Sequence, residues 1–443
     1  MRHLFLNKRI SSFQIIILGF LAVILLGAML LMLPFCTRSG IGTSFPDALF
    51  TAASAVCVTG LVIRDTATYW SVPGQVIILL LIQIGGLGVV SITAFFALLA
   101  GRKISLFQRT ILQDNFSAPQ IGGIVKLIRF IFLTVFIVEF LGFALMLPSF
   151  VGKYGRSGIW MSAFHSVSAF CNAGFDLMGT KSGAFSSLSA FGNSIPVNLV
   201  ISLLIVTGGI GFLTWNDIAT HRFTFRKYRL QSKVILLSTL ILILIPAGLF
   251  YLNDFAAFPV RDRICMSIFQ AITPRTAGFN TADLNAMSSS GRVIMIILML
   301  IGGSPGSTAG GIKTTTVAVL IANGFSVFTR RSNVQLMGRR VEDSVVKSAA
   351  TLLYLYFALS VGGAMAISTH EGLPFGSCLF ETASAIGTVG LSLGLTPTLG
   401  MLSRAILIFL MFFGRVGGLT LIFAAVSLRQ TDSRCPIEKI TVG

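Results

Sequence analysis

Residues 50–62 read FTAASAVCVTGLV, and the chain repeats this pattern three more times. The other copies are FHSVSAFCNAGFD at 164–176, FQAITPRTAGFN at 269–280 and FETASAIGTVGLS at 380–392. Each copy begins with a Phe, passes a Ser or Thr, and reaches a glycine near its end, namely Gly60, Gly174, Gly278 and Gly390. The Phe precedes the glycine by ten residues in three copies and by nine in the third. Successive glycines lie 114, 104 and 112 residues apart, so the pattern predicts one loop made four times.

The composition indicates a protein that lies in a lipid bilayer. Of its 443 residues, 54% are hydrophobic and only 11% are charged, whereas a soluble globular chain carries about 25% charged residues. The net charge of +18 comes from basic residues in short loops, which is a topology signal and not a nucleic-acid footprint. The six cysteines lack metal-type spacing and are interpreted as free thiols. The basic N-terminus runs into an apolar stretch without a cleavage site, so we interpret that stretch as a membrane helix.

Eight apolar stretches reach the length of about 20 residues that a membrane-spanning helix needs. They cover 13–33, 76–99, 127–147, 196–215, 234–252, 293–328, 349–367 and 405–426. Each glycine segment lies within one pair of these stretches, is too short to span and is too apolar for a solvated loop, which predicts a re-entrant segment. The termini and three loops carry 21 of the 33 Lys and Arg residues. The positive-inside rule therefore predicts cytosolic termini and puts all four glycine segments on the outer side.

These observations predict an all-α polytopic membrane protein with four parallel helix–pore-loop–helix repeats in a pseudo-fourfold arrangement around one pore. The expected bounds are 13–100 for repeat A, 125–220 for repeat B, 233–328 for repeat C and 347–428 for repeat D, followed by a cytosolic tail at 429–443. The common direction of the repeats differs from the inverted repeats of many secondary transporters.

Each glycine segment is expected to form a short helix followed by an extended turn. Helix starts are visible at Pro46-Asp47, Asp262 and Pro374. The negative end of each short helix would point inward, toward a cation. Glycine lets a carbonyl face the axis without a side-chain clash, and four such turns would replace the hydration shell of a monovalent cation. An alternative is that the glycines only let membrane helices pack closely. This alternative would explain a single copy of the pattern better than four copies.

The segments CVTGLV, CNAGFD, RTAGFN and GTVGLS resemble the four degenerate filter loops of the Ktr, Trk and HKT superfamily of potassium transporters. The resemblance covers the whole chain, and eight helices with no extra N-terminal pair resemble the KtrB-type subunits. It implies K⁺ as the transported ion at the filter glycines and no covalent cofactor, and it leaves Na⁺ as either a modulator or a co-substrate. The filter residues that it implies are Val58, Thr59, Gly60, Asn172, Ala173, Gly174, Thr276, Ala277, Gly278, Thr388, Val389 and Gly390.

Residues 302–316, GGSPGSTAGGIKTTT, interrupt the sixth apolar stretch. Five glycines and a proline within 302–311 exclude an ordinary helix, since each Gly costs about 1 kcal/mol and Pro about 3 kcal/mol relative to Ala. The segment is a near miss for a phosphate-binding loop, but the Gly-to-Lys spacing is wrong and no strand precedes it. The resemblance implies instead an intramembrane loop that gates the pore beneath the filter. The expected gate residues are Gly302, Gly303, Ser304, Pro305, Gly306, Ser307, Thr308, Ala309, Gly310, Gly311, Lys313 and Arg415.

Arg415 is predicted to lie at the depth of this loop. Gly302 and Gly414 each follow their own filter glycine by 24 residues. A lone Arg in an apolar run is costly unless it faces water or a cluster of carbonyls, so it either forms a barrier in the pore or satisfies the carbonyls of a broken helix. The other repeats carry shorter glycine pairs at 85–86, 208–209 and 417–418, and a fully developed break is expected in the third repeat alone.

The resemblance also implies partners, namely a homodimer with a pore in each protomer and a KtrA-like cytosolic octameric ring of nucleotide-binding RCK subunits. Candidate docking surfaces are the basic loops 221–233 and 330–340, which equally fit topology signals beside membrane lipid. No catalytic triad, metal motif or dinucleotide fingerprint occurs, so an enzyme is not expected. The predicted location is the plasma membrane. The alternative functions are a potassium/sodium-coupled secondary transporter with alternating access and a membrane scaffold.

Overall fold

The computed structural model describes residues 11–102, 104–116, 122–222 and 224–425. Within these ranges most residues are helical, and the two strands, Gln335–Leu336 and Arg339–Arg340, form one antiparallel hairpin. The predicted all-α fold class is therefore confirmed. The basic N-terminal residues, the last part of repeat D and the tail at 429–443 lie outside the described residues, and the repeat bounds stay a prediction.

Within the described ranges, four long helices are apolar enough to cross a membrane, and they are Ser12–Leu31, Ile124–Tyr154, Leu230–Leu252 and Asp343–Glu371. The number rises to six in the described part of the chain if each of two bent helix pairs counts as one span. Large apolar side chains on these helices, such as Leu133, Leu244 and Phe357, are 60–64% exposed. Such surfaces are stable when lipid covers them, and the protein is a multi-pass membrane protein.

A short helix follows each long one, and the four are Phe45–Val56, Ser157–Phe170, Val260–Ile272 and Phe375–Gly387. Three begin with proline at or near the N-cap, where its missing N–H is not needed. The starts predicted at Pro46-Asp47, Asp262 and Pro374 agree with these bounds. The phenylalanines that open the repeated pattern are at most 1% exposed, so the short helices form the centre of the core.

A helix broken in two parts completes each unit. The pairs are Val72–Leu87 with Val89–Leu99, Ile195–Gly209 with Phe212–His221, Ser289–Leu300 with Thr314–Phe328, and Met401–Val416 with Gly418–Ala425. The first two pairs bend by 96° and 98°. Gly88, Gly211 and Gly417 stand at the breaks with φ of 84°, 90° and 93°, a conformation that glycine adopts without strain.

These breaks differ from the expectation that only the third repeat is fully interrupted. The stretches 76–99, 196–215 and 405–426 contain a break each, and only the long loop between Leu300 and Thr314 is confined to the third unit. The physical reason is a glycine three residues after Gly85, Gly208 and Gly414, which supplies the positive φ of the break.

Smaller elements connect these units. The helix Leu106–Phe116 follows the first unit, and the four-residue helices Thr66–Tyr69 and Gly179–Ser182 follow the first two repeated glycine segments. Short 3-10 turns occupy Pro34–Cys36, Ser189–Phe191, Phe225–Lys227, Leu284–Ala286 and Thr396–Thr398. The five cysteines in the described ranges are unpaired, as expected, and Cys435 lies outside these ranges.

Candidate functional site

The four repeated glycines lie in a closed ring. A Cβ atom added to Gly60 would lie 3.1 Å from the Cα of Gly174, and one on Gly174 would lie 3.1 Å from the Cα of Gly278. The corresponding distances are 3.2 Å from Gly278 to Gly390 and 2.9 Å from Gly390 back to Gly60. Each added atom would also collide with the carbonyl oxygen before the next glycine, which belongs in turn to Ala173, Ala277, Val389 and Thr59. The four loops therefore meet backbone to backbone, in chain order.

All four loops share one backbone register when residues are counted from the glycine. The residue two positions before it has a φ between 52° and 74°, and these residues are Val58, Asn172, Thr276 and Thr388. Residues other than glycine rarely adopt this backbone conformation, which costs about 1–3 kcal/mol. The third loop follows the same pattern, so its missing residue lies upstream, at the end of the short helix.

A hydroxyl residue at the end of each short helix anchors the loop, and the four are Ser54, Ser168, Thr273 and Ser384. Its backbone carbonyl accepts a hydrogen bond from the N–H of the residue before the glycine, at 2.8 Å in three loops and 3.0 Å in the third. The serines lie six residues before their glycine and Thr273 lies five before Gly278. Threonine thus takes the serine position in the shortened loop.

The hydroxyl groups of these anchors bind the loops in two ways. Ser54 Oγ and Ser384 Oγ accept from the N–H of their own ring glycine, at 3.1 Å and 3.0 Å. Ser168 Oγ and Thr273 Oγ1 donate to the carbonyl just after the glycine, at 2.7 Å and 2.5 Å. The anchors were not singled out from the sequence, although the recurring Ser or Thr in the pattern was the signal.

Among the described residues, two threonine hydroxyl oxygens within two positions of a ring glycine have no hydrogen-bond partner. Thr59 Oγ1 and Thr388 Oγ1 are buried without a hydrogen bond in the part of the chain that the structure describes. The Asn172 amide and Thr276 Oγ1, by contrast, share a hydrogen bond of 3.1 Å. A buried hydroxyl without a partner is costly, so the first and fourth loops differ from the second and third in polar contacts.

The loop between Leu300 and Thr314 lies against two opposite members of the ring. Thr308 Oγ1 donates to the carbonyl of Phe170, the last residue of the second short helix, at 3.1 Å. On the other side Gly310 packs against Thr388, because a Cβ atom added to Gly310 would lie 2.8 Å from the Thr388 Cγ2 atom. A Cβ on Gly311 would lie 3.2 Å from the carbonyl oxygen of Gly387, in the fourth short helix. The loop therefore crosses directly below the ring.

The break in the second unit holds the loop by backbone hydrogen bonds. The Ser304 N–H donates to the Gly209 carbonyl at 3.0 Å, and the Phe212 N–H donates to the Gly306 carbonyl at 2.8 Å. A Cβ on Gly211 would lie 2.6 Å from the Pro305 carbonyl oxygen. The loop and this break thus supply hydrogen-bond partners for each other's backbone groups. Irregular backbone at membrane depth requires such partners.

Two cationic side chains hold the loop carbonyls. Lys313 Nζ donates to the carbonyls of Ala309 and Gly310, at 2.8 Å and 3.4 Å. Arg415 donates to the Thr308 carbonyl on one side. On the other side it donates to the carbonyls of the glycine pair 85–86, with 2.9 Å to that of Gly86. That pair ends the first half of a broken helix, where carbonyls lack helical partners. The Arg415 guanidinium therefore joins two units to the loop, and the predicted contact with carbonyls is present.

A cavity of about 320 Å³ lies on the far side of the loop. Its lining includes Pro305 and Lys313 of the third unit, Arg415 of the fourth, and Phe13 and Phe20 of the first long helix. The ring glycines do not line it. The loop and Arg415 therefore stand between the ring and this cavity.

Every residue predicted for the filter lies in the four ring loops, and every residue predicted for the gate lies in the loop or against it. Sequence reasoning missed two of the three break glycines, Gly88 and Gly211, and named Gly417 only as part of a glycine pair. Their signal was two glycines spaced three apart, in GGLG at 85–88, GGIG at 208–211 and GRVG at 414–417.

Residues 7–434 match a family model, TrkH, described as a cation transport protein. The chain belongs to this family. It is 38% identical to the potassium/sodium uptake protein NtpJ of Enterococcus hirae, with 99% of this chain and 98% of that protein covered. It is 36% identical to the Ktr system potassium uptake protein B of Bacillus subtilis, with 98% and 97% covered. The resemblance to Ktr and Trk proteins is confirmed.

This TrkH family member also shares its fold with a solved structure. The crystal structure of the potassium transporter TrkH from Vibrio parahaemolyticus superposes with a TM-score of 0.75 at 18% identity. The match covers 96% of this chain and 87% of the other. The helical membrane fold is therefore that of the family across nearly the whole chain.

Proposed function

We propose that this chain is the potassium-conducting, channel-like subunit of a Ktr-type uptake system. The observation that carries the proposal is the closed ring of four glycine loops, each preceded by a short helix. Relatives at 38% and 36% identity over nearly the whole chain are named for potassium uptake. The function is transport and not catalysis, in keeping with the cation-transport description of the family model.

The proposed filter consists of the ring glycines and the two residues before each. Four short helices direct their negative ends at the ring, which favours a cation there. Backbone carbonyls of the tightly packed loops would replace its hydration shell, and the unpartnered hydroxyls of Thr59 and Thr388 would add oxygen atoms. The loops differ in side chains, so the four sides of the filter are chemically unequal. The four units would surround one pore as parallel repeats.

The proposed gate consists of 302–311 together with Lys313 and Arg415. The loop crosses below the ring, lies against the second and fourth short helices, and is bound by the two cations. A positive charge and a fixed loop in the permeation path both oppose a passing cation. Opening would require Arg415 to release the Thr308 carbonyl, so that the loop leaves the axis.

A coupled transporter with alternating access is the second candidate, and the Enterococcus hirae relative is named for potassium and sodium together. In that mechanism sodium would be a co-substrate, whereas in a gated pore it would be a modulator. Single-channel currents from the purified protein in a planar bilayer would support the pore. Their absence from a preparation that still supports uptake in vesicles would support alternating access.

We further propose that the chain works as a homodimer with a separate nucleotide-binding ring. The Bacillus subtilis relative is named as protein B of a Ktr system, which is a name for one component among several. The hairpin at 335–340 carries the exposed residues Arg339 and Arg340, and Arg330 and Arg331 lie just before it. This basic surface suits the cytosolic partner. The location is the cell membrane, with both termini in the cytosol.

Replacing Arg415 tests the gate. Arg415→Ala, or deletion of 304–310, is expected to raise potassium flux roughly tenfold or more, because a charged hydrogen bond contributes about 1.5–3 kcal/mol. Uptake would be measured in a potassium-auxotrophic strain with expression matched by immunoblot. Arg415→Lys keeps the charge but lacks the planar fork that reaches two carbonyl groups at once, so it is expected to give an intermediate flux. Unchanged or abolished uptake in well-expressed Arg415→Ala would count against the gate.

A further inference from the structure

Glu139 is a buried acidic residue that belongs to neither the ring nor the loop. It lies in the middle of the long helix Ile124–Tyr154 and is 7% exposed. In the four long helices that the structure describes, Glu139 is the only acidic residue that lies more than one turn from a helix end. A carboxyl group is costly to bury in an apolar interior, and such groups in membrane proteins have specific partners. The partners of Glu139 therefore indicate its role.

Those partners come from two other elements. Gln83 Nε2 donates to Glu139 Oε2 at 3.3 Å, and Cys171 Sγ donates to Gln83 Oε1 at 3.4 Å. The thiol also lies 4.0 Å from Glu139 Oε1. The backbone carbonyl of Glu139 accepts from Ser166 Oγ at 2.6 Å, which fixes the long helix to the second short helix. The Gln83 amide is thus bound at both its nitrogen and its oxygen.

Gln83 lies two residues before Gly85, in the last turns of a broken helix. Gly85 and Gly86 carry the carbonyls that accept from Arg415. Gly86 itself packs on Cys171, where an added Cβ would lie 2.8 Å from the sulfur. The side chains that hold Gln83 therefore also determine where these two carbonyls stand.

We propose that Glu139 is a positioning residue for the gate, which acts through Gln83. Its carboxyl group holds Gln83, and Gln83 holds the end of the first broken helix within reach of Arg415. Without the carboxyl group, the Gln83 amide loses its buried acceptor and this helix end shifts. Arg415 then no longer binds the glycine carbonyls and Thr308 together, and the barrier weakens. The inference rests on the gate proposed above.

The test is potassium uptake by Glu139→Leu, Glu139→Gln and Phe140→Leu in the full-length protein. Glu139→Leu is expected to raise basal uptake roughly fivefold, the order found when one link of a coupled contact chain is removed. The half-saturating potassium concentration should not change, because the ring is left intact. Glu139→Gln keeps an oxygen acceptor for Gln83 and should match the wild type. Phe140 is 65% exposed on the same helix, so Phe140→Leu serves as the matched control.

Adding Glu139→Leu to Arg415→Ala separates the outcomes. The double variant should show no more flux than Arg415→Ala alone, because both changes break one chain of contacts. The positioning role would be overturned if the flux increase of the double variant equalled the product of the two single increases. Equal flux in Glu139→Gln and Glu139→Leu would also overturn it. Raised flux in Arg415→Ala but not in Glu139→Leu would refute this inference and leave the gate standing. Unchanged flux in Arg415→Ala would refute the gate, and the inference with it. If Glu139→Leu fails to accumulate, Gln83→Met removes the same hydrogen bond from the other side.

Discussion

Each ring glycine lacks a side chain because the backbone of the next loop occupies the place of its Cβ atom. Thr59, Ala173, Ala277 and Val389 place a carbonyl oxygen at that point. Close backbone approach and positive φ occur together at all four glycines, with φ from 68° to 91°. Any side chain would therefore both strain its own loop and push the next one aside.

Gly278→Ser and Gly60→Ser are expected to lower potassium affinity or to admit sodium. Both glycines contact a neighbouring carbonyl, and their φ values are 77° and 89°. Gly40→Ser is a matched control, because Gly40 has a φ of 70° with nothing within 4 Å of an added Cβ. Potassium uptake with and without competing sodium measures the effect. Wild-type selectivity in both ring variants would contradict the filter.

With the proposed orientation, in which Asp176 faces the outer side, this residue gives transport an expected dependence on outer pH. Burial raises the pKa of this carboxyl group, which follows the second ring loop, to about 7, and the charge of Asp65 adds to the rise. Asp176 is therefore charged above this pH and neutral below it, so acidification removes a negative charge near the ring. The potassium concentration for half-maximal uptake should rise between about pH 8 and about pH 6. In Asp176→Asn that concentration should not vary with pH, and a persisting dependence would show that another group titrates.

At the scale of elements, the loop of the third unit is bound to the break of the second. Gly211 lies at this break with a φ of 90° and contacts the Pro305 carbonyl. Gly417 lies at the equivalent break of the fourth unit with a φ of 93°, but an added Cβ would have only the Thr420 Oγ1 atom near it, at 3.8 Å. The two glycines thus have the same backbone shape and different surroundings.

Gly211→Ala is expected to raise potassium flux about threefold or more by displacing the loop, while Gly417→Ala should not. Both substitutions strain the backbone by about 1–3 kcal/mol, so they should lower thermal stability to a similar extent. Uptake and the melting temperature of the purified protein measure the two effects. Equal flux from both variants would show that the contact with Pro305 does not hold the loop.

The sequence predicted the elements that length and hydropathy determine. The four long helices, the short helices between Phe and Gly, and the interruption at 302–311 all follow from apolar length or from glycine and proline content. The bends at Gly88 and Gly211 did not, because bent and straight helices have the same hydropathy. The contact of Gln83 with Glu139 was equally hidden, since it joins residues 56 positions apart on different units.

The functional residues were more predictable than the contacts between them. The repeated pattern, the charge distribution and the family resemblance together placed the four glycines in one predicted filter, and the depth of Arg415 followed from its offset from Gly390. Which carbonyls Arg415 binds depends on how the first broken helix packs, and no local pattern in the sequence encodes that.

At the scale of the whole molecule, the ring draws on all four units, but the loop below it comes from one. The loop crosses between the second and fourth short helices, and Arg415 ties it to the first unit. Selectivity is accordingly proposed to be shared, and gating to be asymmetric. A regulatory partner on the cytosolic side would need to move only this loop or the helices that hold it.

The proposed filter binds the transported cation at the ring of Gly60, Gly174, Gly278 and Gly390. Its most direct test is anomalous X-ray scattering from crystals of the protein grown with Rb⁺ in place of K⁺. We expect an anomalous peak on the axis of the ring, encircled by the backbone carbonyls of the four loops. A well-ordered ring without a peak, with Rb⁺ bound only in the cavity beyond the loop, would contradict it.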